Sequence, residues 1–560
     1  MLKHVPAFTI IVLIGPVLAG LLGTALPAFG ILPSLGGTQF TLEHFASVLN
    51  TPGIVQSSLI SLYVGLITTF ISLSVVMLVI AGWQGTRFFS ALQGLLSPLL
   101  SVPHAAAAFG LAFLIAPSGW IARLLSPWLT GFARPPDWLI VNDTMGLSMM
   151  AGLIAKEIPF LLLMSLAALP QSDARRKAHV AASLGYGPIT GFFKTTFPIV
   201  YRQIRLPVFA VLAYATSVVD VAIILGPTTP PPLSIRLLQW MNDPEIIMRF
   251  QASAGAQLQL AVTALALLFW LGFEKLGKRL GTPLLSSGAR HYCDAAFRPA
   301  VAIIASTFAL LVVAGILVLG IWSIAGFWRF PDPLPVAFTT ATWMRQSESF
   351  GLPLQNSIVI GLISTAIAIA LTLSCLEVEA RSGKAISGRA LVLLYLPLIV
   401  PQISFLFGLQ VLFLQLGSNA NMLAVVFTHV VFVLPYVYLS LADPWAAWDK
   451  RYAAVAHGLG HSDNSVFWRV RVPMMLTPIL TAAAVGFGVS IGQYLATLLI
   501  GGGRFPTITT EAIALSSGGD RRVIGVYALV QTVLPFIGFG LALAIPAIVY
   551  RHRRGLREHA

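Results

Sequence analysis

The chain has 560 residues, a formal charge of +14, 57% hydrophobic residues and only 10% charged ones, with a mean hydropathy of +0.85. A soluble domain carries about 25% charged residues, so the composition excludes a soluble globular protein. The apolar runs are long and unbroken, which excludes a lipid-facing barrel of ~10-residue alternating strands. What remains is an all-α polytopic membrane protein, because a helix satisfies its own backbone hydrogen bonds in lipid.

The chain opens MLKHVPAFTIIVLIGPVLAGLLGTALPAFGIL. A positive flank and a long apolar core, with no small-x-small cleavage site directly after it, read as a retained first span rather than a signal peptide. Twelve candidate transmembrane helices follow from hydropathy. The first six lie near 8–32, 55–82, 90–116, 145–169, 203–226 and 254–273. The second six lie near 299–325, 355–376, 389–415, 420–442, 475–500 and 523–550. With the N-terminus inside, Lys and Arg collect in 83–89, 170–202, 274–298, 377–388, 443–474 and the tail, and are sparse in 33–54, 117–144 and 501–522. The positive-inside rule then places both termini in the cytoplasm. It also accounts for the basic charge, since the basic segments lack the aromatic stacking platform that nucleic acid binding needs. Cys293 and Cys375 lie far apart and read as free thiols.

Six spans is an even number, so both halves enter the membrane the same way and form two parallel six-helix repeats. The expected division is 1–280 for the first repeat, 281–298 for a basic Gly/Pro/Ser-bearing connector and 299–560 for the second.

Several polar residues interrupt the spans. Lys156 and Glu157 are adjacent in the fourth. Neighbours on a helix point about 100° apart, so each seeks a partner elsewhere, in an interhelical ion pair or along a substrate path. Pro159 loosens the backbone beside them. The corresponding second-half span carries His429 and Pro435 instead. Ser217 and Asp220 occupy the fifth span, and Ser490 and Gln493 the eleventh, either near a translocation path or as helix cross-links. Pro230-Pro231-Pro232 makes a stiff external turn. Residues 272–279 imitate a phosphate-binding loop, but Arg279 stands where Ser or Thr is required and no strand precedes it. His291, Cys293 and Asp294 are too short a cluster to read as a metal site.

The strongest pattern is a basic, glycine-punctuated loop that occurs twice, at 174–200 and 449–475, each time after the fourth span of its half. Leu184-Gly185 and Leu459-Gly460 correspond, and Pro198 and Pro473 each follow the glycine by 13 residues. Ala178, Ala181, Ala182 and Gly185 fall on one helical face as a stripe of small residues, and the second copy repeats it with Ala453, Ala456, His457 and Gly460. Such a short, glycine-stopped helix reads as a docking element.

These loops resemble the "EAA" loop of permease subunits of binding-protein-dependent ABC importers. There the pattern runs Glu-Ala-Ala, three variable or apolar positions, Gly, and a stretch ended by Pro. Ala181 and Ala456 match the second alanine, Gly185 and Gly460 the glycine, Pro198 and Pro473 the proline. His179 and Ala454 replace the glutamate, and Val180 and Val455 the first alanine. The following spans carry Ser217-Val-Val-Asp220 and Ser490-Ile-Gly-Gln493, where many such permeases have Ser-x-x-Glu-Phe-Gly. With both units fused in one chain, the closest likeness is to the ferric-iron and thiamine importer branch. The resemblance implies a transport subunit of the bacterial inner membrane, not an enzyme. It implies cytoplasmic coupling helices seated on two ATP-binding subunits, a periplasmic solute-binding protein, and no cofactor in this chain, ATP being bound by the partners. The alternative is an ion-coupled secondary transporter, with Asp220 or Lys156–Glu157 carrying protons.

Overall fold

In the computed structural model, which describes residues 4–291, 294–383, 388–418 and 420–551, the apolar runs become helices. Cys293 and the basic tail beyond Arg551 lie outside these residues. The first half runs α1 (Val5–Ala28), α2 (Glu43–Asn50), α3 (Ile54–Trp83), α4 (Arg87–Leu99), α5 (His104–Ile115), α6 (Trp120–Leu125), α7 (Leu147–Ala168), α8 (Ala174–Ser183), α9 (Pro188–Thr195), α10 (Phe197–Ser217), α11 (Asp220–Leu225), α12 (Leu233–Met241) and α13 (Met248–Ser286). The second half runs α14 (Asp294–Ser323), α15 (Ala341–Ser382), α16 (Gly388–Ile399), α17 (Gln402–Gln415), α18 (Met422–Ala446), α19 (Arg451–Gly458), α20 (Asp463–Val466), α21 (Val472–Met474), α22 (Leu476–Ile491), α23 (Leu495–Gly501), α24 (Ile508–Ala514) and α25 (Arg521–Val549). A π-helical turn, Phe467–Arg471, joins α20 to α21. A two-residue hairpin pairs Ile31 with Thr38.

The expected twelve spans are not twelve unbroken helices. Among the described residues, nine are long and apolar enough to cross a membrane, or eleven if two sharply bent pairs each count as one span. The bends are 86° between α16 and α17 and 74° between the 463–474 segment and α22. The expected fifth span, 203–226, is outside that count. Its helix α10 carries Arg202 and Arg205 near its start and stops at Ser217. Arg205 is paired there with Glu274 of α13 at 2.7 Å.

The two halves are interlocked through their first helices. α1 packs most extensively on α17 of the second half, and α14 packs on α5 of the first. Both crossings are glycine to glycine. A Cβ on Gly110 would meet the backbone of Gly315 at 2.8 Å, and one on Gly315 would meet that of Gly110 at 2.9 Å. A Cβ on Gly23 would meet the Gly408 carbonyl at 2.7 Å, and one on Gly408 would strike the Gly20 carbonyl. Helices approach this closely only where side chains are absent. The Gly408 amide also donates to Thr24 Oγ1 at 2.9 Å. The receiving helices share a sequence signature, Phe109-Gly110-Leu111 and Phe407-Gly408-Leu409. As a result the apolar core is continuous across the halves. One cluster joins Phe109 and Leu111 to Val312 and Leu319, and another joins Val17 to Phe405 and Leu409.

Gly408→Leu and Gly110→Leu are each expected to destabilise the folded chain by about 1–3 kcal/mol or more through overpacking. Gly94→Ala, inside α4 and with an added Cβ that meets nothing within 4 Å, should leave stability unchanged or raise it by up to about 1 kcal/mol. Thermal unfolding in detergent, followed by the loss of monodisperse protein, measures both.

Candidate functional site

Four helix breaks meet at one place. Pro103 separates α4 from α5, and Pro401 separates α16 from α17. Proline removes an amide and disfavours helix in the residue before it, and the two breaks share the sequence Val-Pro-His/Gln at Val102–His104 and Val400–Gln402. The third break, Val218-Val219, separates α10 from α11, and the fourth, Gly492–Tyr494, separates α22 from α23. Residues of all four border a cavity of about 230 Å³ between the halves. Discontinuous helices tolerate free backbone groups at membrane depth only where protein or a cavity receives them.

The first half supplies the ionisable groups. Lys156 and Glu157 of α7, His104 at the start of α5 and Asp220 at the start of α11 all border the cavity. As expected from their adjacency, Lys156 and Glu157 diverge. The Lys156 ammonium donates to the carbonyls of Leu99 at 2.8 Å, Val102 at 2.5 Å and Leu100 at 3.4 Å. It therefore closes the carbonyl end of α4 rather than making an ion pair with another helix. Glu157 approaches His104 Nε2 at 3.6 Å. Tyr214 donates to Asp220 at 3.3 Å and packs its ring on His104. Asp220 opens α11, where a carboxylate complements the N–H end of a helix. Ser217 ends α10 and donates back to Ala213 O at 2.8 Å.

The second half supplies aromatic and amide groups: Gln402, Phe432, Tyr436, Gln493 and Tyr494. Aligning Pro159 with Pro435 sets Lys156 opposite Phe432 in register and Phe160 opposite Tyr436. The last two meet across the cavity with ring centroids 6.3 Å apart. His429 is not the counterpart of Lys156 or Glu157. It is 1% exposed, and its two ring nitrogens lie 2.7 Å from Ser490 Oγ and 2.9 Å from Thr497 Oγ1. Ser364 also donates to Ser490 at 3.3 Å. His429 and Ser490 thus cross-link α15, α18, α22 and α23 away from the cavity. The Ser217/Ser490 correspondence also separates in space, since Ser217 ends its helix while Ser490 lies inside α22. Counted from the breaks, Asp220 and Leu495 each open the following helix, and Gln493 lies within the break itself.

His104, Tyr214, Tyr436 and Gln402 were not singled out from the sequence. The repeated Val-Pro-His/Gln was the available sign for two of them. The tyrosines are ordinary span residues until the helices are packed.

The two glycine-punctuated loops have the same local geometry. Gly185 and Gly460 adopt φ of +79° and +81°, the left-handed conformation that ends a helix. Tyr186 and His461 donate back to Ala181 O at 3.0 Å and Ala456 O at 3.1 Å. The stripe of small residues does not act as one exposed face. Ala181 and Ala456 point inward and are 5% and 6% exposed, and the Ala181 methyl lies against Gly191 of α9. The exposed apolar pairs are Val180–Leu184 and Val455–Leu459, which lie one helical turn apart. Pro198 and Pro473 begin the next helices, α10 and α21.

Different acids hold the two loops. Asp294, inside the expected 281–298 connector and at the start of α14, accepts from the amides of Ile189 and Thr190 at 3.1 and 3.3 Å and from the Thr190 hydroxyl at 2.7 Å, capping α9. In the second half Glu377 of α15 pairs with Arg471 at 3.0 Å and Arg381 at 2.8 Å. Arg471 also donates to Trp445 O at 2.8 Å. Cys375 is buried on α15 as a free thiol, 3.3 Å from Thr9.

Residues 364–551 match the family described as binding-protein-dependent transport system inner membrane component. Over 524 residues the chain is 31% identical to the inner membrane ABC transporter permease protein YnjC of Escherichia coli K12, covering 92% of this chain and 93% of that one. It is 24% identical over 222 residues to a spermidine/putrescine transport system permease protein PotC homolog of Mycoplasma pneumoniae, covering 39% and 77% of the two chains. It is 27% identical over 199 residues to the molybdenum transport system permease protein ModB of Mycobacterium bovis, covering 32% and 75%.

Lys156→Met should destabilise the fold by about 1–3 kcal/mol for each carbonyl it leaves unanswered. Gln493→Ala, which removes no side-chain hydrogen bond among the described residues, should stay within about 0.5 kcal/mol. Thermal unfolding of the two variants side by side gives the comparison.

Proposed function

The chain belongs to the permeases of binding-protein-dependent ABC transporters, multi-pass proteins of the inner membrane, and from that premise we propose that it forms the whole translocation pathway of an ATP-driven importer for a small solute. The observation that carries this reading is the cavity bordered by all four helix breaks, where the two halves meet. Family membership removes the motive for the ion-coupled alternative. The spermidine/putrescine and molybdenum permeases among the relatives point to different solutes, and the ferric-iron and thiamine branch remains a proposal from the fusion of both loop-bearing units in one chain.

In this reading α8 and α19 lie in the cytoplasm and each seats on one ATP-binding subunit. The exposed Val180–Leu184 and Val455–Leu459 pairs are the apolar contacts, and Gly185 and Gly460 fix the angle at which each helix is presented. A solute-binding protein delivers solute to the opposite side, where the 228–232 turn lies. ATP is bound by the partners. Closure of the ATP-binding subunits draws α8 and α19 together, and the rigid halves rotate about their glycine crossings to change access to the cavity.

Purification from native membranes in mild detergent is expected to retain two ATP-binding subunits per chain. Leu184→Asp together with Leu459→Asp should abolish that association and ATP-dependent uptake in proteoliposomes while leaving Tm within a few degrees, since both side chains are exposed. Undiminished uptake by the double variant would sink the docking assignment.

A further inference from the structure

We propose that the cavity selects its solute as a small organic cation, held by the Glu157 carboxylate against aromatic faces. This deepens the importer reading and rests on it.

The backbone does not decide the sign of the solute. Each break brings one carbonyl end and one N–H end to the cavity, so the helix dipoles oppose one another. The side chains decide it. A lysine has three protons to donate, and Lys156 directs its ammonium at three backbone carbonyls, which leaves nothing for an anion. No arginine borders the cavity among the described residues. Asp220 is engaged with Tyr214 at the start of α11.

Glu157 is in a different situation. It is 4% exposed and accepts no hydrogen bond among the described residues. His104 Nε2, at 3.6 Å, is beyond hydrogen-bond length and pairs with the carboxylate only as an imidazolium. A carboxylate this buried is costly unless something answers it, and the open side of Glu157 is the cavity. Phe160 stands one turn along α7 on the same wall, and across that space stand Tyr436, in ring contact with Phe160, and Phe432. Aromatic faces attract a cation within about 6 Å of the ring centroid. A carboxylate facing aromatic rings, with the one lysine occupied, suits an ammonium or iminium-type solute and repels an oxyanion.

The test reads charge selectivity without knowing the solute. Gln493→Cys, with Cys293 and Cys375 replaced by Ser, places a thiol on the cavity wall. The full-length chain in membrane vesicles is treated with 2-(trimethylammonio)ethyl methanethiosulfonate or 2-sulfonatoethyl methanethiosulfonate. The ratio of the two rates is divided by the same ratio on 2-mercaptoethanol. The normalised ratio is expected to favour the cation by about 10-fold or more, as clefts of one sign do, to fall to near parity with Glu157→Gln, and to fall less with Asp220→Asn. A ratio at or below parity, a ratio indifferent to Glu157→Gln, or no reaction with either reagent would each overturn the proposal. If Glu157→Gln does not accumulate, the parental ratio still decides the sign. The reagents need neither ATP nor a binding protein. A failed ratio therefore leaves the importer reading standing, and a failure of ATP-driven uptake leaves the ratio standing.

Discussion

A helix that stops inside a membrane leaves backbone groups that water cannot reach, and each unanswered group costs several kcal/mol. This chain stops four helices at one level and gathers the ends around one cavity. Most of the site's chemistry follows from answering those ends. Lys156 closes the carbonyls of α4, Asp220 sits at the N–H end of α11, and the Ser217 hydroxyl returns to its own helix. Charges that look functional in a span are in part structural, committed to the backbone of the break. Glu157 is the exception, and that makes it the informative residue of the site.

The breaks are held in place by the interlocking of the halves. Because α1 lies on α17 and α14 on α5, the helices that follow the two proline breaks are each clamped by the opposite half. Glycine at the crossings sets the distance. Separating the halves would expose the apolar core they share, so the change of access proposed above is one of rotation about packed crossings. Such motion suits a pathway that must change access at its midpoint without coming apart.

The repeat is geometric rather than chemical. Both halves carry the same Val-Pro break and the same left-handed glycine after the exposed helix. The cavity groups differ: the ionisable Lys156, Glu157, His104 and Asp220 come from one half, the amides Gln402 and Gln493 from the other, and aromatic rings from both. Two copies in one chain are free to diverge at every facing position, and the cavity has two unlike walls. The loops follow the same logic, matched in shape but secured by Asp294 in one half and by Glu377 with Arg471 in the other.

The sequence by itself determined the class and the paired loops, because these rest on local properties. Hydropathy marks spans wherever they pack, a glycine ends a helix through its own φ, and Lys156, Glu157 and Asp220 stand out as ionisable residues in apolar runs. Only the tertiary structure decided which of these residues face one another. His429 looked like the second-half counterpart of Lys156 and Glu157 but lies buried between Ser490 and Thr497, because its register on α18 turns it towards α22 and α23. Ala181 and Ala456 looked like a docking face but point inward, while Val180 and Val455, which looked like departures from the loop pattern, are on the outside. His104, Tyr214 and Tyr436 gave no sign as single residues, since a cavity wall is assembled from helices distant in the chain. Side-chain direction across a helix interface depends on crossing angle and register, and neither is written in any one segment.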